Sequence, residues 1–176
     1  MISSELVKVL VWVLMDGTMV DNRKYIENSI KRRIQWKLSK SRKIDDLCKL
    51  LSSLNIPHTV RSATMSTYNV LQPYYIRIYG DWGRKIFELL DGKKDFPEWM
   101  MKKDKDYVDA IMSTIKITDG YKFYRRIIWG TSNPQHLDFM KRFCELNEII
   151  YSRHKDYFPA KGFNKKPQMK LSILYD

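Results

Sequence analysis

The 176-residue sequence predicts an α+β protein made of two related halves. Two apolar stretches, Val9 to Met15 and Met112 to Thr118, each run into an Asp-Gly pair, at Asp16-Gly17 and Asp119-Gly120. The segments that follow them repeat. Arg32-Arg33-Ile34, then Trp36 and Ser39, reappears as Arg125-Arg126-Ile127, then Trp129 and Ser132; Ile44-Asp45 matches Leu137-Asp138 at the same offset. Leu54-Asn55 matches Leu146-Asn147 with a one-residue slip, and Ile76-Arg77-Ile78 resembles Leu171-Ser172-Ile173. A period of roughly ninety to a hundred residues is far too long for a solenoid and fits one unit used twice.

The first copy starts with a helix from near Ser4 to Asp16, ended by Gly17 in the place of a C-cap glycine. A turn to about Asn22 follows. From Lys24 to Ser39 the residues alternate: Ile30, Ile34, Trp36 and Leu38 share one parity, and Lys31, Arg33, Gln35 and Lys37 share the other. One strand face is therefore apolar and the other basic. Ser41 to Asn55 carries Ile44, Leu47, Cys48, Leu51 and Leu54 at helical spacing. An extended piece from Thr59 to Thr64, a strand from Tyr74 to Tyr79 and a helix from about Trp82 to Leu90 complete the copy. Residues 1–91 form the first repeat, the charged Gly- and Pro-containing stretch 92–103 a linker, and 104–176 a shortened second repeat whose long helix runs from near Asp106 to Asp119. Pseudo-twofold symmetry would pack the two Asp-ending helices together and bring Asp16 and Asp119 to the axis.

A carboxylate at a helix C-terminus is disfavoured by roughly 0.3–1 kcal/mol, because that end carries partial negative charge. Two such placements in one chain predict something positive between them, such as a metal ion. Lys and Arg outnumber Asp and Glu by 32 to 20, a formal charge of +12, which points to a polyanionic partner, nucleic acid before membrane. Cys48 and Cys144 fall in predicted helices and read as buried apolar residues of a reduced, intracellular protein. The scattered His58, His136 and His154 argue against zinc. The run from Leu6 to Met15 is too short for a bilayer span, is broken by Lys8, and lacks the features of a signal peptide. Trp36 and Trp129, on the apolar parity, read as core anchors between sheet and helices.

These features resemble the LAGLIDADG homing endonuclease family in its monomeric, two-repeat form. The two apolar segments ending in Asp-Gly, the strand-strand-helix order after each, and Phe96-Pro97-Glu98-Trp99 ahead of the second carry the resemblance. It implies two αββαββ(α) repeats forming a saddle-shaped antiparallel sheet, with the two motif helices at the interface and a concave basic face on double-stranded DNA. It also implies Mg2+ at Asp16 and Asp119, with Lys122 near the scissile phosphate. Lys31, Arg33, Gln35, Lys37, Tyr124 and Arg126 would face the DNA, and Arg61 and Arg77 are further candidates. Val11 and Thr114 depart from the family, which usually has small residues where the helices touch, and Lys116 inside the second helix is a further departure.

The expected activity is a sequence-specific, metal-dependent endonuclease acting as a free-standing intracellular monomer. The alternative is a non-cleaving binding protein of the same fold, an intron RNA maturase or a DNA-binding regulator. A basic structural protein without a site would leave the twin Asp-Gly placements unexplained.

Overall fold

The computed structural model describes residues 2–21, 32–64, 71–157 and 168–175. The chain divides into two compact units, Met1–Lys94 and Asp95–Asp176.

In the first unit, α1 (Ser4–Asp16) leads directly into β1 (Gly17–Asp21), followed by β2 (Arg32–Leu38), α2 (Ser41–Ser53), β3 (Thr59–Ser62), β4 (Tyr74–Ile78) and α3 (Gly80–Leu89). The strands form one antiparallel sheet in the order β1-β2-β4-β3. The Ser3 hydroxyl caps α1 by accepting from the Leu6 amide at 3.3 Å. Every residue of α1 from Leu6 to Met15 except Lys8 is buried. A helix apolar on all sides belongs in a core, and burying each such side chain contributes roughly 1.5–3 kcal/mol. Ile34, Trp36 and Leu38 of β2 and Ile76 and Ile78 of β4 are buried on one sheet face, as the alternation requires. Leu47 and Leu51 of α2 and Ile86 and Phe87 of α3 are buried as well.

The second unit repeats the plan. After a 3-10 turn (Glu98–Met100) come α4 (Lys105–Thr118), β5 (Gly120–Phe123), β6 (Arg126–Thr131), α5 (Pro134–Leu146), β7 (Tyr151–Tyr157) and β8 (Gln168–Leu174). The strand order β5-β6-β8-β7 reproduces that of the first sheet. Duplication read from scattered residue matches is thus present in the topology. The Asp104 carboxylate caps α4 on the Tyr107 amide, and Asn133 caps α5 on the Gln135 amide, with Pro134 in the first turn. Phe96 stacks on Phe139 at 4.5 Å between centroids, and Arg142 donates to Glu98 at 2.6 Å, so residues just past the unit boundary dock on α5.

Several details differ from the sequence expectation. The residues after Gly17 are a strand, not a turn. α3 begins at Gly80, two residues early. The stretch from Lys24 to Lys31, Lys31 included, lies outside the described residues. Asp119 sits in the cap just past α4, whereas Asp16 is the last residue of α1. Neither Gly17 nor Gly120 is a left-handed cap. Gly17 is extended, with φ −85° and ψ 165°, and opens β1. Its missing side chain matters for space: a Cβ there would lie 2.7 Å from Val13 Cα and 2.9 Å from Trp36 Nε1. At Gly120 a Cβ would meet Ile127 Cγ2 at 2.8 Å and the Ile115 carbonyl at 3.0 Å. At both turns from helix into strand an added Cβ would force a neighbouring atom to shift.

Candidate nucleic-acid interface and acidic positions

Residues opposite one another in an antiparallel register share a sheet face. In the first unit the pairs Thr18↔Gln35, Val20↔Arg33, Gln35↔Arg77, Lys37↔Tyr75, Thr59↔Arg77 and Arg61↔Tyr75 place nine side chains on the face away from the buried one. Four are cations, Arg33, Lys37, Arg61 and Arg77, and none is a carboxylate. Arg61 and Arg77, less prominent in the sequence, therefore join Arg33, Gln35 and Lys37 on a single surface. The face is also internally tied. Arg77 Nε donates to Gln35 Oε1 at 2.7 Å, and its guanidinium lies 4.7 Å from the Tyr75 ring centroid. The Lys37 ammonium approaches the same ring at 6.0 Å. The Arg33 Nε is sequestered from solvent with no hydrogen-bond partner among the described residues.

The corresponding face of the second sheet differs. Arg126 and Lys170 are its described cations, accompanied by Ile128 and Ser172, both buried, and by exposed Tyr121. Arg126 Nη1 donates to the Ser172 hydroxyl at 3.3 Å. Tyr124 stands exposed in the β5–β6 turn with φ 53°. Lys122 pairs with Ile127, which puts it on the helix side of edge strand β5, where it is exposed. Trp36 and Trp129 are both fully buried on the helix sides of their sheets, in the anchoring role expected of them.

The acidic positions are unequal. Asp16 Oδ2 accepts from Lys43 Nζ at 2.7 Å, with both side chains 19% exposed. Lys94 Nζ also donates to the Met15 carbonyl at 3.3 Å. The positive charge that the sequence demanded at the end of α1 is supplied by two ammonium groups, which relieve the dipole conflict. Sequence reasoning missed Lys43 because its pairing spans 27 residues and has no periodic signature. By the repeat, Lys43 corresponds to His136, which is buried and faces Asp95 at 3.7 Å instead. Asp119 is exposed in the α4 cap. Lys116, in the last turn of α4, is exposed.

Among the described residues no group of three or more His, Cys, Asp and Glu side chains is placed to hold a metal. Asp16 and Asp119 are hard-oxygen donors of the kind that divalent cations take together with water and phosphate oxygens. No helix among the described residues is long and apolar enough to cross a membrane.

No family model and no curated protein matches the chain in sequence. Solved structures do match in fold. A point variant of the homing endonuclease I-DmoI, in complex with its target DNA in the presence of Mg, superposes with a TM-score of 0.65 at 14% identity, covering 97% of this chain and 88% of that one. I-DmoI with DNA and Mn gives 0.63 at 14% identity, over 97% and 89%. Full-length DUF199/WhiA from Thermatoga maritima gives 0.60 at 11% identity, over 97% of this chain and 50% of that one. The chain has the LAGLIDADG fold, α+β with two duplicated four-stranded antiparallel sheets.

Proposed function

We propose that the protein binds double-stranded DNA sequence-specifically on its open sheet faces and cuts both strands with a divalent cation, acting as a monomer. The observation that carries the binding half of this reading is the first sheet's open face, with four cations and no carboxylate among its described residues. A polyanion is attracted to such a surface through phosphate contacts, while an arginine on a strand has the geometry to reach a base edge. The solved structures of the same fold that were determined with target DNA support it.

Asp16 and Asp119 are the carboxylates that would bind Mg2+, Asp16 in exchange for its ion pair with Lys43. When bound, the metal supplies Lewis-acid activation of water and neutralises charge on the leaving oxygen. Lys122, an exposed ammonium three residues past Asp119, would hold a non-bridging phosphate oxygen by charge. Lys37, Arg61 and Arg33 would keep the duplex in register through its backbone, and such contacts carry little sequence information.

A second reading is favoured by one specific observation. The Lys43 ammonium already compensates Asp16, so the first carboxylate is stable without a metal, and the fold could serve a binding protein that does not cut. Incubating the protein with a randomised duplex library and Mg2+, beside Asp16→Asn and Asp119→Asn, separates the two. Specific double-strand cuts that disappear in both variants support the endonuclease. Enrichment of a bound sequence with no cut in the wild-type protein supports the binding protein, and no binding at all removes both.

A further inference from the structure

We propose that Arg77 is a specificity-determining residue that reads a guanine in the major groove, and that Gln35 and Tyr75 position it for that contact. The inference rests on the DNA-binding reading above and deepens it.

An arginine discriminates guanine best when its two terminal nitrogens address O6 and N7 together as a planar fork. A free arginine must give up side-chain rotamer freedom to do so. In this structure much of that ordering has already happened. Gln35 accepts from Nε at 2.7 Å, which fixes the guanidinium along its inner edge and leaves the terminal edge for a ligand. Tyr75 supports its plane at 4.7 Å. Arg77 and Gln35 are also register partners on adjacent strands, so the backbone ladder itself holds the donor against its acceptor. With its carbonyl oxygen engaged, Gln35 is poorly placed for the donor-acceptor pair an adenine edge requires, so it acts through Arg77.

At the corresponding register the second copy has no equivalent device. The residues that correspond to Gln35 and Arg77 are Ile128 and Ser172, both buried, and they face each other in the same register. Neither can form a guanidinium fork. A guanine preference that depends on this cluster is therefore confined to the half-site facing the first sheet.

Selection of bound sequences from a random duplex library, with Ca2+ in place of Mg2+ to hold back cleavage, tests this. The wild-type protein should enrich a guanine at one position of one half-site. Arg77→Lys, which keeps the charge and loses the fork, should reduce discrimination at that position by about 5- to 150-fold while leaving other positions and affinity for unrelated duplex within a few-fold. Gln35→Ala should relax the same position and no other, a readout that a merely structural role would not produce. If the guanine persists in Arg77→Lys, or the enriched site contains no position that responds to it, the assignment to Arg77 is overturned while DNA binding stands. If no sequence is enriched and no salt-dependent binding occurs, both are overturned. Coincident thermal melts of the three proteins would show that loss of selectivity is not loss of fold.

Discussion

The Lys43 ammonium sits 2.7 Å from Asp16 Oδ2, joining the first residues of α2 to the last residue of α1. The pair is only partly exposed, so it is screened less than a surface ion pair and leaves more behind when broken. Lys43→Met should destabilise the protein by about 1–2 kcal/mol, and the double variant with Asp16→Asn should cost less than the sum of the singles. Urea melts of the four proteins measure the coupling. Strict additivity would mean that the two groups do not interact in solution.

Gly17→Ala should cost about 1–3 kcal/mol, because the added carbon would collide with backbone at Val13, which cannot rotate away. Gly120→Ala should be milder, since its nearest obstacle is the Ile127 side chain. Thermal denaturation ranks the two, and an equal or reversed ranking would contradict the steric account.

The two core tryptophans should respond unequally to removal of their ring nitrogen. Trp36 Nε1 donates to the Trp12 carbonyl at 3.0 Å, whereas Trp129 Nε1 is buried with no partner among the described residues. In the second copy the carbonyl corresponding to Trp12 belongs to Ile115, which the Thr118 hydroxyl approaches at 3.4 Å. Trp36→Phe should therefore cost about 1 kcal/mol more than Trp129→Phe, as the second substitution removes a donor already unsatisfied. Denaturant melts would show the difference, and equal costs would refute it.

The Cys144 thiol is buried, and desolvation pushes its pKa up to about 12, with Glu145 adding to the shift. A group that binds its proton more tightly when folded stabilises the fold below the unfolded value near 9, and that contribution is lost as the pH rises toward 12. Stability should accordingly decline above about pH 9. A thiol reagent at pH 8 should label Cys48, which is only half-buried, well before Cys144. Equal labelling rates in the native protein would contradict the burial of Cys144.

How much of this was legible in the sequence depends on the range of the interaction. Local patterns were readable: Ser3 and the apolar run mark α1, the alternation of Ile34, Trp36 and Leu38 fixes which face of β2 is buried, and the matched Arg-Arg-Ile segments disclose the duplication. The sequence marked the Asp-Gly pairs as unusual and placed Gly17 at the end of α1, where it lies, but did not show the crowding that a side chain there would meet. Close approach between Gly17 and Trp36 is a tertiary fact, invisible in a local pattern. The same limit hid Lys43, which lies 27 positions from Asp16, and the tie between Gln35 and Arg77, which lie 42 positions apart. Strand parity could place these two on basic faces, but only the register β2↔β4 makes them neighbours.

Each ladder in the described structure closes within its own copy: β1 to β4 pair among themselves, and so do β5 to β8. No backbone bond of one sheet depends on a residue of the other among the described strands. The two outer surfaces can therefore differ without unpairing a strand: the first carries Gln35, Tyr75 and Arg77 where the second has Ile128, Lys170 and Ser172. For protein engineering, this makes the first sheet's outer face a module whose residues can be exchanged while the second copy's backbone pairing is left alone.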